Sequence, residues 1–344
     1  MTTSDGDLPT VCVVIPTRHR LSQLLRVLDA LEQQDFPREL VETVVVVDGD
    51  PATAEALAGR SGVDALHQDN GGPAAARNAG VARARAELVA FLDDDVVPPR
   101  GWLRRHAEAH RSRENLVVIG PLLPSQSGVR ESPWVRWEAR MLGRQYADMT
   151  AGRWSATPRQ FYTGNVSVRR EHLVGAGGFD ASLRRAEDVE LGFRLRDLGL
   201  CFEFHPDAAA RHEASRPYRS WTWAAREYGR MDALMGTRLG RPEVLEAAGR
   251  EFHGRHRLTR MAVLRSLRRP CLASALSWLG APLARTALRA GLTGVSDLIC
   301  GGVFNVLYWQ GMSDAIGGER CARSLIASHG ATARPHGAGD AGAA

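Results

Sequence analysis

The segment LVAFLDDDVVP (residues 88–98) places three consecutive aspartates directly after five apolar residues. A short apolar run bounded by polar residues predicts a buried strand, so we expect Asp93, Asp94 and Asp95 where that strand leaves its sheet. Because successive side chains of an extended strand alternate between its faces, Asp93 and Asp95 are expected to project together and Asp94 to point away. Two carboxylates on one side suit Mg²⁺ or Mn²⁺, which commonly completes its coordination with substrate phosphates; the other interpretation is a solvated acidic loop.

The sequence before this segment predicts repeated β-α-β units. Two β-branched runs, residues 11–15 and 43–47, are separated by leucines at helical spacing, and a Gly-rich turn with Pro73 at the start of a helix precedes the strand at Leu88. Such units form parallel sheets with right-handed crossovers, so the carboxyl ends of their strands share one edge. Because ligands of open α/β sheets bind at that edge, Asp48, which follows the second strand, and the aspartates are predicted to share one site.

Composition narrows the function classes. The 344 residues are 44% hydrophobic and 24% charged, which is typical of a globular chain with one large domain or two smaller ones. All 44 basic residues are arginine, which excludes a Schiff-base lysine, a P-loop lysine and a lysine general base. The five cysteines are odd in number and form no Cys-x-x-Cys pair, so neither a disulfide framework nor a zinc site is indicated and a reducing cytoplasm is favoured.

The pattern along the chain predicts three regions. Residues 1–217 carry the α/β pattern, including a later strand at GNVSV and a helix at EDVELGFRLRDLG, whereas residues 122–160 have weak periodicity and are interpreted as an excursion over the site. Residues 218–331 predict an arginine-rich helical region, and the Gly-rich residues 332–344 predict a disordered tail. The N-terminus lacks a signal-peptide pattern, and no uncharged apolar run reaches the roughly 18 residues of a membrane span.

A phosphotransferase is one alternative function. Asp93, Asp95 and Val97 follow an apolar strand in the Asp-x-Asp-x-Thr/Val pattern of haloacid dehalogenase-type phosphatases, in which the first aspartate attacks phosphate. Those enzymes commonly use a lysine beside that aspartate, and this chain contains none. A catalytically silent nucleotide-binding module is a further alternative. A dehydrogenase is disfavoured, because no G-x-G-x-x-G turn follows the first strand.

Six segments, taken in order, resemble one known family. They are VVIPTRHR, VVVVDGD, NGGPAAARNAG, AFLDDDVVP, GNVSVRREHLVGAGGFD and EDVELGFRLRDLG. Each is weak alone, but the ordered series, within residues 11–212, resembles the inverting family 2 glycosyltransferases of GT-A fold. The resemblance implies an α/β fold with a mixed, mostly parallel sheet and flanking helices. It also implies a metal-dependent glycosyltransferase of the hexosyltransferase type, which moves a sugar from a nucleoside diphosphate to an acceptor hydroxyl with inversion.

The resemblance implies donor-binding residues in four segments. They are Pro16, Thr17 and Arg20 in the first loop, Asp48 near the base, Arg77 and Asn78 in the ARN block, and Asp93 and Asp94 in the aspartate run. Of the last two, Asp93 is expected to contact the sugar or ribose. Other roles remain open: Asp48 as a turn aspartate, Arg77 as a solvated helix residue, and Asn78 as a partner of a backbone group. The family usually has two acids before the glycine of the second loop, whereas this chain has Val47 and Asp48, so the base is not specified.

The resemblance also implies the catalytic and metal-binding groups. Glu187 and Asp188 match the acidic pair in which the aspartate is the general base, although acids in a first helical turn are also favoured by the helix dipole. Asp95 and His212 match the metal ligands, with Mn²⁺ or Mg²⁺ as the cofactor, although a lone histidine is often a packing or surface residue.

The partners follow from the same reasoning. The donor is expected to be a nucleoside-diphosphate sugar, with a UDP-sugar favoured over GDP- or dTDP-sugars, and the acceptor a glycan, a lipid-linked sugar or a secondary metabolite.

Residues 255–269 place apolar residues at helical spacing among arginines, which predicts either a solvated helix on a core or an interfacial helix near anionic lipid. A cytoplasmic protein, peripheral to the inner face of the membrane, is therefore one expectation. Nucleic acid is disfavoured, because no recognition helix or series of stacking aromatics accompanies the charge.

Overall fold

The computed structural model describes residues 8–125, 132–183 and 185–329. Within these residues, ten strands form two sheets. The strands are β1 (Val11–Thr17), β2 (Val41–Asp48), β3 (Asp64–Gln68), β4 (Leu88–Leu92), β5 (Val96–Val97), β6 (Leu116–Ile119), β7 (Leu122–Pro124), β8 (Asn165–Arg169), β9 (Cys201–Phe204) and β10 (Ala210–His212). The strands predicted at residues 11–15 and 43–47, at Leu88 and at GNVSV are confirmed as β1, β2, β4 and β8.

The same described residues contain thirteen α-helices. They are α1 (Leu21–Glu32), α2 (Pro51–Leu57), α3 (Gly72–Arg83), α4 (Trp102–His110), α5 (Pro133–Thr150), α6 (Arg170–Gly175), α7 (Glu187–Asp197), α8 (Tyr218–Thr237), α9 (Pro242–His253), α10 (Arg257–Arg268), α11 (Pro270–Arg289), α12 (Thr293–Ala315) and α13 (Glu319–Ser328). As predicted, Pro73 lies in the first turn of α3, where its missing N–H costs no helical hydrogen bond.

The larger sheet has the strand order β3-β2-β1-β4-β8-β6-β9. β1 pairs in parallel with β2 and β4, and β2 pairs in parallel with β3. β8 runs antiparallel to both β4 and β6. The predicted fold class, an α/β fold with a mixed, mostly parallel sheet, is therefore confirmed. The carboxyl ends of β1, β2 and β4 lie on one edge, so the loops that follow them are neighbours.

Apolar residues cover both faces of the larger sheet. Val13 and Ile15 of β1 belong to one buried cluster with Trp102, whereas Val14 belongs to a second cluster with Phe91. This alternation follows from the period of two in a strand, and a sheet buried on both faces has continuous apolar strands. Each such side chain stabilises the fold by roughly 1.5–3 kcal/mol when fully buried.

The chain divides into two compact units. The first unit, Met1–Gly128 with Leu142–Ala214, contains both sheets. The second unit, Val129–Met141 with Ser215–Ala344, contains α8 to α13. The division predicted from sequence at residues 217 and 218 differs from these units, because it assigns Val129–Met141 to the α/β region.

Residues 122–160, interpreted from the sequence as an excursion over the site, contain a helix that their weak periodicity did not predict. This helix is α5, which has 18 residues, and residues 126–131 lie outside the described part of the chain. The weak periodicity has a physical cause, because α5 is divided between the two units. Trp137 lies in an aromatic cluster of the second unit with Trp221, whereas Tyr146 stacks on Phe204 in the first unit.

The arginine-rich region after Tyr218 is helical, as predicted. Within it, Leu267 of α10 is buried, whereas Leu258 and Met261 of the same helix are exposed. Among the described residues, no helix is both apolar and long enough to cross a membrane. The predicted disordered tail, residues 332–344, lies outside the described residues.

Candidate active site

The three aspartates form a turn directly after β4. The prediction that Asp93 and Asp95 project together is wrong, because the strand ends before them and a turn does not keep the alternation of an extended strand. Asp94 and Asp95 instead contact the same guanidinium group, that of Arg20, whereas Asp93 contacts Arg77. The three carboxylates are therefore divided into a pair and a single group.

The first loop holds the pair of carboxylates. Thr17 donates a hydrogen bond from Oγ1 to Oδ2 of Asp94 at 2.7 Å, and Nη1 of Arg20 donates to Oδ1 of Asp94 at 3.2 Å and to Oδ2 of Asp95 at 2.6 Å. Burial raises the pKa of Asp94 to about 6, although the hydrogen bond from Thr17 and the charge of Arg20 oppose this shift. Burial also acts to raise the pKa of Asp95, but His212 and Arg20 outweigh it and the net pKa is lowered. Asp95 is therefore the stronger acid of the pair and stays ionised.

His212 lies beside Asp95 at the end of β10. β10 pairs antiparallel with β5, and this pairing places Nε2 of His212 3.4 Å from Oδ1 of Asp95. The two residues predicted to bind the metal are thus neighbours. No group of three His, Cys, Asp or Glu side chains in the described ranges is arranged to hold a metal. A carboxylate with an imidazole fits Mn²⁺ or Mg²⁺ when substrate oxygens and water complete the coordination.

Asp48 orders the turn between β3 and α3. Its Oδ1 accepts hydrogen bonds from the backbone N–H of Gly71 at 2.7 Å and from Nε2 of Gln68 at 2.9 Å, and its Oδ2 accepts one from Gly72 at 2.9 Å. The carboxylate is buried, so these three hydrogen bonds offset the cost of removing its charge from water. The alternative role, an ordinary turn aspartate before Gly49, does not describe these contacts, because the carboxylate binds the turn before α3. A contact with a nucleotide base stays a prediction.

Asp50 joins the first two loops and is a residue that the sequence reasoning missed. Its side chain caps α2 by accepting from Thr53, and its Oδ2 also accepts from the backbone N–H of His19 at 2.9 Å. His19 has a φ of 55°, which is uncommon for a residue with a Cβ and shows that this loop is held in a specific conformation. Pro16, predicted to contact the nucleotide, lies in β1 just before the loop. Asp50 followed by Pro51 is a recognisable signal for the start of a helix, and it could have identified Asp50 from the sequence.

Arg77 connects the aspartate turn to the start of α7. Nη2 of Arg77 lies 3.1 Å from Oδ1 of Asp93, and Nη1 lies 3.0 Å from Oε1 of Glu187. Arg77 and Glu187 are both buried, so the alternative of a solvated helix arginine is wrong. Burial lowers the pKa of Arg77, but the charges of Asp93, Glu187 and Asp188 outweigh it and the net pKa is raised. Such a buried pair is costly to break, because the remaining charge has no counter-ion.

Asp188 lies next to this pair in the first turn of α7. Its Oδ1 accepts a hydrogen bond from the backbone N–H of Val189 at 2.8 Å. Burial and the like charge of Glu187 raise the pKa of Asp188 to about 7, although Arg77 opposes the shift. The preceding residue, Ala186, has a φ of 56°, so a strained left-handed residue sets the direction in which α7 begins. A half-buried carboxylate with a pKa near neutrality has the properties of a general base.

Asn78 fixes the loop that precedes α7. Its Nδ2 donates to the carbonyl oxygen of Phe179 at 2.8 Å, and its Oδ1 accepts from the N–H of Phe179 at 2.7 Å. Of the two roles open to Asn78, the structure has the backbone role. Phe179 in turn lies beneath the guanidinium of Arg77, at 5.9 Å from its ring centroid. Asn78 therefore supports Arg77 through that ring.

A buried polar network that the sequence reasoning missed lies under the aspartate turn. Asn165, which pairs with the last residue of β4, donates from Nδ2 to the carbonyls of Pro121 and Ala208 and accepts at Oδ1 from Nε1 of Trp102 at 2.8 Å. His106 also contacts Asn165, and burial lowers the pKa of His106 to about 4, so this imidazole is neutral near pH 7. These bonds tie β8, which pairs with β4, to the segments before β7 and β10. From the sequence, Asn165 is recognisable only as a residue of the strand GNVSV, because its partners are distant in sequence.

The family can now be decided. A family model described as "Glycosyl transferase family 2" matches residues 12–186, which is about half of the chain. The chain belongs to glycosyl transferase family 2. This membership agrees with the resemblance in the six ordered segments and argues against the phosphotransferase alternative, in which Asp93 would be a nucleophile.

Curated relatives are about 30% identical to this chain within the regions that match. It is 30% identical over 236 residues to the pre-mycofactocin glycosyltransferase of Mycobacterium tuberculosis, which covers 66% of this chain and 48% of that protein. It is 31% identical over 224 residues to the validoxylamine A glucosyltransferase of Streptomyces hygroscopicus, which covers 56% of this chain and 53% of that protein. The chain spans about half the length of these relatives.

Solved structures share the fold at low sequence identity. A mannosyltransferase from Pyrobaculum calidifontis in complex with GDP-Man and Mn²⁺ has a TM-score of 0.55 and 21% identity, and the match covers 87% of each chain. Residues 1–349 of TarS from S. aureus in complex with UDP have a TM-score of 0.50 and 18% identity, and cover 88% of this chain and 92% of that one. Both similarities show the fold alone.

Proposed function

We propose that this protein is an inverting glycosyltransferase that moves a sugar from a nucleoside diphosphate to an acceptor hydroxyl. The observation that carries the proposal is the connection made by Arg77. This buried residue links Asp93, in the turn after β4, to Glu187, beside Asp188. A donor-binding edge and a carboxylate with a raised pKa are thus held in one network.

The proposed reaction assigns a different task to each end of this network. Asp188 accepts the proton of the acceptor hydroxyl as that oxygen attacks the anomeric carbon from the face opposite the diphosphate. Glu187 keeps the pKa of Asp188 high through its like charge, and Arg77 holds Glu187 in position through their ion pair. In this proposal Asp93 would hydrogen-bond the sugar or ribose. Thr17 and Arg20 hold the carboxylates of Asp94 and Asp95, which would lie beside the diphosphate.

The metal belongs to the same proposal. Asp95 and His212 would hold Mn²⁺ or Mg²⁺, since their oxygen and nitrogen atoms already lie 3.4 Å apart. When bound, the ion supplies positive charge that stabilises the departing diphosphate. The donor base is proposed to be uracil, with guanine and thymine as the alternatives that a binding panel separates. The proposal also includes the acceptor, which would be a glycan, a lipid-linked sugar or a secondary metabolite. It further includes peripheral membrane contact through the helical region, residues 218–331.

Calorimetry with UDP, GDP and dTDP tests donor binding. Each titration is run with Mn²⁺ and again with a chelator, on the wild-type chain and on Asp95→Ala. Asp35→Ala is the matched control, because Asp35 is an exposed aspartate whose carboxylate lies 3.8 Å from Arg104. We expect metal-dependent binding in the wild type and the control and its loss in Asp95→Ala. Undiminished, metal-dependent nucleotide affinity in Asp95→Ala would refute the metal assignment, and binding without turnover of any donor would indicate a silent module.

A further inference from the structure

Positive charge is concentrated in one part of the second unit. Residues 252–296 contain eight arginines and no aspartate or glutamate, although the formal charge of the whole chain is only +5. The rest of the chain therefore carries a net negative charge. These residues cover the end of α9, all of α10 and α11, and the start of α12. Charge of one sign that is segregated in this manner indicates a partner of opposite charge.

Most of these arginines have no acidic partner in the described part of the chain. Arg255 pairs with Glu251, Arg268 lies 3.6 Å from Glu319, and Arg285 lies over the ring of Trp134. No ion pair is formed in the described ranges by the other five. These are Arg257, Arg260, Arg265, Arg269 and Arg289. All but Arg260 are exposed, so their charge is available to an external partner.

An exposed apolar row lies on α11, between the arginines that flank this helix. Leu276, Leu279 and Leu283 follow the helical spacing of three and four residues, and each is exposed. Trp278 of the same helix is 79% exposed and lies about 100° around the helix axis from Leu279, because an α-helix turns by that angle per residue. Four large apolar side chains within two turns of one helix are more than the scattered exposure that is normal for a surface. We call the exposed faces of α10 and α11 the basic-apolar surface.

We propose that the basic-apolar surface docks on an anionic phospholipid membrane, which refines the proposed membrane contact of the helical region. The apolar row would enter the headgroup boundary, where tryptophan is favoured, and the arginines of α10 would contact lipid phosphates. An apolar row favours lipid over nucleic acid or an acidic peptide, because only the membrane offers both negative charge and an apolar layer. The proposed contact is peripheral, at the level of the lipid headgroups. The inference does not depend on the chemistry proposed for the first unit.

Vesicle flotation of the full chain tests the docking. We expect binding to phosphatidylcholine vesicles that contain phosphatidylglycerol, at least tenfold weaker binding to phosphatidylcholine alone, and loss of binding as salt is raised. Trp278→Ser with Leu279→Ser should weaken binding at least tenfold. Trp154→Ser is the control, since Trp154 is a partly exposed tryptophan of the first unit. Arg265→Gln with Arg269→Gln should remove the preference for the anionic lipid.

Three outcomes would overturn the proposal. One is equal binding to neutral and anionic vesicles, and another is wild-type binding by both double variants. The third is a wild type that binds no vesicles and is a dimer in light scattering, while the Trp278→Ser, Leu279→Ser variant is a monomer. A second copy of the chain would then cover the surface. Asp95→Ala should float like the wild type, so failure of the donor site and failure of membrane docking give different results.

Discussion

Nη1 of Arg20 lies 2.6 Å from Oδ2 of Asp95 and 3.2 Å from Oδ1 of Asp94. The guanidinium thus supplies the positive charge that two adjacent carboxylates need when they are ionised. Burial acts to lower the pKa of Arg20, but Asp95 and Asp94 outweigh it and the pKa is raised. A divalent cation bound by Asp95 would compete with Arg20 for the negative charge of this carboxylate.

Replacing Arg20 with glutamine should therefore strengthen metal binding in the absence of nucleotide. The two carboxylates lose their internal counter-ion, so we expect Mn²⁺ affinity to rise by about threefold to tenfold, which corresponds to roughly 1 kcal/mol. Calorimetric titration of Mn²⁺ into the nucleotide-free protein measures the change. Arg18→Gln is the control. Arg18 lies two residues before Arg20 and is exposed, so this variant loses the same charge at a neighbouring position. Equal Mn²⁺ affinity in all three proteins would show that Arg20 does not compete with the metal.

The sequence predicted the sheet and the segments of the site because both depend on local pattern. Apolar runs and the helical spacing of leucines identified β1, α1, β2 and β4, and the rule for carboxyl ends of parallel strands placed their loops on one edge. The arrangement within the site was not predictable in the same way. The pairing of Asp94 with Asp95 depends on where β4 ends, and the hydrogen bonds of Asn165 join groups more than 40 residues apart in sequence.

The ion pair between Arg77 and Glu187 should be important for stability. Arg77→Met leaves the carboxylate of Glu187 buried without a counter-ion, so we expect the free energy of unfolding to fall by about 3–5 kcal/mol. The double variant Arg77→Met, Glu187→Gln should recover a large part of this loss, because the uncompensated charge is removed. Urea unfolding of both single variants and the double variant gives the coupling energy. A strictly additive double variant would mean that the two side chains do not interact energetically.

The position of α3 against the sheet depends on Gly80. A Cβ at this position would lie 2.3 Å from Cγ1 of Val14, so Gly80→Ala should lower the free energy of unfolding by about 1–3 kcal/mol. Gly143→Ala is the matched control in α5, where nothing lies within 4 Å of an added Cβ, and it should raise the free energy of unfolding by about 0.5–1 kcal/mol. Thermal unfolding of the two variants should shift in opposite directions. A stabilised Gly80→Ala would show that α3 can move away from β1 without cost.

Asp188→Asn should separate catalysis from stability. The substitution is nearly isosteric and removes only the proton acceptor, so we expect metal and donor affinity to persist while transfer falls by about 10² to 10⁴. Because the pKa of Asp188 is raised to about 7, wild-type transfer should increase as the pH passes through that value, and the residual activity of Asp188→Asn should lack this step. A product that retains the configuration of the donor, or a variant that transfers at the wild-type rate, would remove Asp188 from the role of base.

The raised pKa of Asp188 also determines whether Asp188→Asn stabilises or destabilises the protein. The folded protein binds the proton of Asp188 more tightly than the unfolded chain does, since the ordinary pKa is 3.8 and the folded value about 7. Ionisation of this group therefore lowers the free energy of unfolding progressively between those values, and the full loss is present above about pH 7. Asparagine has no such penalty, so the variant should gain melting temperature relative to the wild type as the pH is raised from about 5 to about 8. Glu171→Gln, at an exposed acid in the first turn of α6, is the control: it should lose about 0.3–1 kcal/mol of helix-dipole stabilisation and keep full turnover. If Asp188→Asn instead follows the pattern of Glu171→Gln, its carboxylate serves only the helix.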